Sequence, residues 1–298
     1  MIPFKDNLRG IGRPTATMLL IFINCVFFII EEALQHSGAT ASYWVSKYGM
    51  FTPAQFTQAF ASADALAMLL AVGTVFTAMF LHGGTMHIFG NMLFLNCFGR
   101  AVEARLGKLR FVTFYIFAGV AACAGHYLSN PLSDVPILGA SGAVAGVMSA
   151  YLMFWPRARV LGLSPQMGVL YAPAWSYLLA WGVLETLSVF FEQPGSTGDV
   201  VAHTAHVVGF AAGIIASLLA RWLPVSHIVS YPDEDCRPKK RATPKHSARI
   251  VRALSGRLAH ICSLFAWLHR LKNGHLIFPR RSQAYPVDAG AKRQEGNI

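Results

Sequence analysis

Seven apolar runs, at about residues 15–30, 65–81, 86–99, 109–128, 139–155, 169–191 and 200–222, dominate this 298-residue chain. Most approach the ~20 residues a helix needs to cross a bilayer core. Only 13% of the residues are charged, about half of the ~25% usual in soluble domains. A soluble fold of this length cannot cover so much apolar surface with so few charges. Disorder through most of the chain and a disulfide scaffold are excluded by the same composition. The five cysteines show no metal-ligand spacing and read as small apolar residues or ordinary thiols. The expected fold is all-α, a polytopic membrane bundle.

Seven runs do not make seven spans. Only His82, Gly83, Gly84 and Thr85 separate the second run from the third, very little for a turn between two full crossings. Basic residues decide the matter, because they favour the cytoplasmic side. With 65–81 not crossing, Lys5, Arg9, Arg13, Arg100, Arg105, Lys108, Arg110, Arg157, Arg159 and Arg221 share one side and Lys47 alone lies opposite. With 65–81 crossing, the 100–110 cluster falls on the wrong side. The expectation is six spans with both termini cytoplasmic and a long external loop over 31–84, half embedded in the lipid. A cleaved signal peptide competes for the N-terminus, but the apolar run is long for one and Ala39-Thr40-Ala41 lies well past its end.

The domain reading follows: a cytoplasmic N-terminus (1–14), a six-span unit (15–223) and a tail (224–298). The net charge of +11 belongs mostly to the tail, since residues 1–223 carry 11 Lys/Arg against 9 Asp/Glu and residues 224–298 carry 14 against 5. In the tail Ile250, Leu254, Leu258, Ile261, Phe265 and Leu268 recur at helical spacing. An amphipathic basic helix over 246–272, lying on the anionic inner leaflet, is expected there. A disordered tail with a transient helix is the alternative. A nucleic-acid partner is not expected, because the spans dominate the chain.

Polar groups inside spans are costly and call for a reason. Ser141 opens the fourth span in Gly139-Ala140-Ser141-Gly142. His206 lies in the sixth, and His87 and Asn91 sit four residues apart on one face of the second. Counted from Arg157, Arg221 and Arg100 at 1.5 Å per helical residue, Ser141, His206 and His87 lie about 24, 22 and 20 Å deep. That is one layer, some 6–10 Å below the outer surface of a ~30 Å core. Gly142 and Gly146 on one span, and Gly209 and Gly213 on the other, form G-x-x-x-G pairs that allow close backbone approach. Such packing would bring Ser141 towards His206.

A serine needs a base to become a nucleophile, and histidine is the usual one. Ser141 follows a glycine-containing turn and opens a helix, so its amide is free and the helix terminus favours negative charge. Asn91 and His87 could complete an oxyanion hole. No Asp or Glu is expected to accompany His206, so a Ser-His dyad is expected. Singly, each residue has an ordinary structural reading as interhelical glue. A common depth and two matching seams favour catalysis.

These segments resemble the rhomboid intramembrane serine proteases over roughly residues 15–222. The likeness rests on Phe80-Leu81-His82-Gly83-Gly84 leading to His87 and Asn91, on Glu103-Ala104-Arg105, on Gly139-Ala140-Ser141-Gly142 and on Ala205-His206-Val207-Val208-Gly209. The resemblance implies that Ser141 is the nucleophile and His206 the base, with His87, Asn91 and the Ser141 amide stabilising the oxyanion and Gly139, Gly142 and Gly209 supporting the motifs. It also implies no cofactor or metal, and cleavage of single-span or other membrane proteins near the outer end of a transmembrane segment. A multi-pass protein of a bacterial inner membrane fits that picture. A catalytically silent rhomboid-like protein that binds membrane clients is the alternative. Two features depart from the family: Ala145 stands where many members carry an aromatic one turn after the serine, and the external loop lacks a Trp-Arg pair. His203 is expected to be a bystander, Glu185 a buried acid bonded to a neighbouring helix, and His82 a tie between the loop and the site. A metal carrier built on His82, His87, His203 and His206 is disfavoured because H-E-x-x-H is absent and no acidic residue is expected to join the histidines.

Overall fold

The computed structural model describes residues 2–164, 168–191 and 202–232. The amphipathic helix expected over 246–272, with the tail beyond residue 232, lies outside these residues. Helices dominate: α1 (Thr15–His36), α2 (Ala39–Gly49), α3 (Pro53–Ala61), α4 (Ala65–Thr77), α5 (Thr85–Phe94), α6 (Arg100–Leu106), α7 (Lys108–Ser129), α8 (Ser141–Phe154), α9 (Ala174–Phe191) and α10 (His203–Ala220). A π-helical turn over Leu95–Gly99 joins α5 to α6. Helices satisfy every backbone polar group internally, as an apolar solvent demands.

The helices are inside-out by the standard of a soluble protein. On α1, Leu19, Phe22, Ile29 and Ile30 are exposed while Thr17, Asn24 and Glu31 are buried. Apolar residues facing outward over polar residues facing inward is the arrangement a lipid-facing helix requires. α1, α7, α9 and α10 are each long and apolar enough to cross a membrane, while α8 is a shorter apolar helix. The stretch Ala65–Phe80 meets Thr85–Leu106 at a bend of 79°, so these two runs are not antiparallel spans joined by a tight turn. The expected loop over 31–84 is itself helical, folded as α2, α3 and α4.

One expectation needs correction. The fifth span does not begin at residue 169: Gly168–Pro173 is a strand, β3, paired antiparallel with β2 (Arg159–Ser164). β2 also pairs with β1 (Ile2–Asp6), giving a sheet in the order β1-β2-β3. Apolarity alone could not separate a strand from the start of a helix here, because a short apolar run fits either. The helix starts after Pro173, where the Ala174 amide donates to the Ala158 carbonyl (2.7 Å).

This end of the bundle is stitched together by both flanks of the helical region. Tyr151 Oη donates to Asp6 Oδ2 (2.8 Å), and the amides of Ser226 and His227 donate to the carbonyls of Arg105 and Ala104. Residues just beyond Leu223 therefore continue onto the bundle. Burial raises the Asp6 pKa above the ordinary carboxylate range, against the opposing hydrogen bond from Tyr151. Glu103 caps α1 from a distance: its two oxygens accept from the amides of Ala16 and Thr17 and from Thr17 Oγ1, at 2.7–2.9 Å. The cap matters because α1 has no side-chain cap of its own.

The central seam runs between α8 and α10, with α7 behind. A Cβ added to Gly209 would collide with the Gly142 carbonyl, and one added to Gly213 with the Gly146 carbonyl. On the other side of α8, Gly142 and Gly146 lie against the Cβ atoms of Ala122 and Ala118. Small residues thus allow three helices to pack backbone to backbone.

Candidate active site

The site forms where α8 begins. Gly139 has φ +119°, a conformation that residues with a side chain rarely adopt. Its amide donates to the Ala78 carbonyl (2.8 Å), and a Cβ here would come within 2.7 Å of His87 Nε2. Glycine therefore both turns the chain into α8 and leaves room for the imidazole. Ser141 is the first residue of that helix, so its amide has no acceptor in the preceding turn and lies at the positive end of the helix dipole.

The α8–α10 seam brings Ser141 and His206 together, with Oγ and Nε2 2.7 Å apart. On the other side of the ring, His206 Nδ1 lies 2.9 Å from Glu185 Oε2. A carboxylate oxygen can only accept. The proton of the neutral ring therefore sits on Nδ1, and Nε2 is left to accept from the serine hydroxyl. His203 Nδ1 lies 2.7 Å from the same carboxylate oxygen. The expectation that no acid accompanies His206 is thus overturned: Glu185 arrives from α9, a different helix. His203 is part of the same cluster rather than remote from it.

Asn91 is buried on α5, and its Nδ2 has no hydrogen-bond partner among the described residues. A buried amide donor without a partner is costly unless something else takes the hydrogen bond. His87, one turn earlier, is exposed, and its ring packs edge-on against that of His82 at 5.2 Å. His82 is itself buried, and its backbone amide donates to Glu31 Oε2 (2.8 Å). α1 and the α4–α5 connection are therefore tied directly to the site. A small cavity of about 30 Å³ adjoins Ser141, walled by Ala78, Gly119, Ala122, Cys123, Gly142 and Ala205.

Ala145, one turn after the serine, is fully buried and presents no ring to His206. The ring beside His206 is Trp181 of α9, with centroids 6.1 Å apart and planes tilted by 35°. Trp181 and Glu185 are four residues apart and share a helix face. Neither was singled out as a partner of His206 by sequence. The available signal was that Glu185 is an ionisable residue within a span, though nothing local said which way α9 turned it.

By atom type, Glu185, His203 and His206 could also ligate a cation, since one donor atom from each lies within 4.8 Å of the others. Glu185 thus joins two of the four histidines of the metal-carrier reading, although H-E-x-x-H is absent. His82 and His87 lie apart from that trio, on the α4–α5 side. A serine hydroxyl against an imidazole, beside an orphan amide donor and a helix N-terminal amide, is an arrangement chemically capable of acyl transfer.

A family model described as the Rhomboid domain matches residues 70–223. YdcA of Bacillus subtilis (strain 168) is 30% identical over 143 residues, which make up 48% of this chain and 64% of YdcA. Rhomboid-like protein 11, chloroplastic, of Arabidopsis thaliana is 27% identical over 232 residues, or 74% of this chain and 70% of that protein. Rhomboid protease GlpG of Enterobacter sp. (strain 638) is 27% identical over 212 residues, covering 71% of this chain and 65% of GlpG. The chain thus spans about two thirds of the length of these relatives, and slightly less for YdcA and GlpG.

Proposed function

Because the chain belongs to the rhomboid family, we propose that it is an intramembrane serine endopeptidase, with Ser141 as nucleophile and His206 as general base. The observation that carries this reading is the 2.7 Å contact between Ser141 Oγ and His206 Nε2 at the start of a helix. Ser141 Oγ attacks the scissile carbonyl carbon while its proton passes to Nε2. The oxyanion receives hydrogen bonds from the Ser141 amide, Asn91 Nδ2 and the His87 ring. His206 then gives the proton to the leaving amine, the C–N bond breaks and an acyl-serine remains. Water, deprotonated by the same imidazole, hydrolyses that ester and restores the hydroxyl.

The substrate class follows from the surroundings. The exposed apolar faces of the helices suit a lipid environment, so the peptide arrives as a segment of another membrane protein. A helical peptide bond must unwind before its carbonyl can be reached, since its backbone groups are already paired. The cavity beside Ser141 accommodates a methyl-sized group, which favours a small residue at the cut site. Both termini are assigned to the cytoplasmic side from the basic residues, which puts Ser141 and His206 nearer the outer face.

The test uses purified protein and a transmembrane substrate in micelles, beside Ser141→Ala, His206→Ala and Asn91→Ala. Cleavage is expected to fall at least about 10³-fold in the first two and about 10²–10³-fold in the third, mostly in kcat. Undiminished cleavage by Ser141→Ala would sink the assignment. Labelling of wild type, but not of Ser141→Ala, by a fluorophosphonate is the companion measurement. A client-binding protein without activity would show neither cleavage nor labelling.

A further inference from the structure

We infer that Glu185 is a positioning residue for His206, making the site a Ser141–His206–Glu185 relay with the acid supplied by α9. The inference rests on the reading of Ser141 and His206 given above. Three observations carry it. Glu185 Oε2 lies 2.9 Å from His206 Nδ1, while the opposite ring nitrogen lies 2.7 Å from Ser141 Oγ. The three groups therefore form one continuous chain through the ring. The same oxygen lies 2.7 Å from His203 Nδ1, so the carboxylate is held between two imidazoles of α10 one turn apart. Lastly, Trp181, on the same face of α9 as Glu185, lies beside the His206 ring, with centroids 6.1 Å apart.

The physical consequence is control of tautomer and orientation. In the neutral imidazole one nitrogen donates and the other accepts. A carboxylate at Nδ1 permits only the form with its proton there, which keeps the Nε2 lone pair directed at Ser141. When Nε2 takes the serine proton, the ring becomes positive beside a fixed negative charge in a poorly solvated site, which stabilises the intermediate. His203 donates to the same oxygen and limits the rotation of Glu185. Glu185 touches no reacting atom and acts wholly through His206.

The spacing is that of hydrogen bonds: the oxygen lies 2.7 and 2.9 Å from the two nitrogens.

The experiment compares wild type, Glu185→Gln, Glu185→Asp, His203→Ala and Ser141→Ala, with kcat and KM measured on one transmembrane substrate in micelles. An amide at 185 can turn its NH₂ towards Nδ1, which selects the tautomer with Nε2 protonated and useless as a base. Glu185→Gln is expected to lower kcat by about 10²–10⁴-fold while KM changes less than about threefold. Glu185→Asp keeps the charge and is expected to recover at least about tenfold over the amide. It also supplies the reading on its own if Glu185→Gln does not fold, as a loss confined to kcat. His203→Ala is expected to cost less than about tenfold. Wild-type kcat in folded Glu185→Gln, or equal losses in the Gln and Asp variants, would overturn the inference. Loss of wild-type activity on addition of a chelator would overturn it in favour of a bound cation. Activity in Ser141→Ala would instead refute the underlying dyad, so the two failures are distinguishable.

Discussion

His206 is held from two sides, and the two contacts use different physics. Towards α8, the Gly209 backbone lies against the Gly142 carbonyl, and Gly213 against the Gly146 carbonyl and the Ser149 hydroxyl. Towards α9, the contacts are long-range side-chain contacts: Glu185 reaching Nδ1 and Trp181 beside the ring. Burial differs in parallel. In the most apolar stretch of α9 only 11% of residues are buried inside the protein, against 33% for α10 and 39% for α7. The close seam sets the spacing of the two helices that carry Ser141 and His206. The looser side contacts the His206 ring without having to pack tightly, which leaves that flank of the site less enclosed by protein.

Substitutions can break this contrast. The largest effect is expected from Gly209→Ala. Its new Cβ would collide with the Gly142 carbonyl, and backbone cannot move aside as a flexible side chain can. A loss of about 3 kcal/mol is expected in reversible unfolding from micelles, with cleavage falling as Ser141 and His206 separate. The same change on the looser side is the control. A Cβ at Gly182 meets only the Phe210 ring at 3.8 Å, an ordinary contact, so Gly182→Ala is expected to stabilise by up to about 1 kcal/mol through helix propensity. Equal destabilisation by the two would erase the distinction between the sides.

The smallest effect concerns pH and belongs to the far end of the bundle. Asp6 has a folded pKa raised by burial, so the folded protein holds its proton more tightly than the unfolded chain does. Its contribution to stability is full below the ordinary carboxylate pKa and is lost as pH rises through the raised value. Asp6→Asn should flatten the decline in that window while leaving the glycine seam untouched. An unchanged pH dependence of unfolding in Asp6→Asn would show that another group is responsible.

Legibility followed locality. Ser141, His206, His87 and Asn91 could be found because each sits in a short motif at a countable distance from a basic anchor. The glycine pairs marked the seam because small residues at a spacing of four have one strong use in lipid. The sheet was hidden because β1 and β2 are some 155 residues apart in the chain and join only on folding. β3 was hidden because its apolar residues read as the start of the next span. Helices α2 and α3 lie in a segment read only as external loop, while α4 falls in the apolar run 65–81, read as the part dipping into the lipid. Glu185 was visible as a costly acid in a span, but its partner depends on how α9 is rotated about its own axis.

The sequence by itself determined that this chain is a helical membrane protein of the rhomboid family, and which serine and histidine share a depth. Helical class and shared depth follow from hydropathy and charge placement, and the family from short motifs matched to known members; each is read along a single stretch of chain. Only the tertiary structure decided that the histidine has a carboxylate behind it and a tryptophan beside it. Both come from a third helix, and no periodicity within one helix encodes the azimuth at which another meets it.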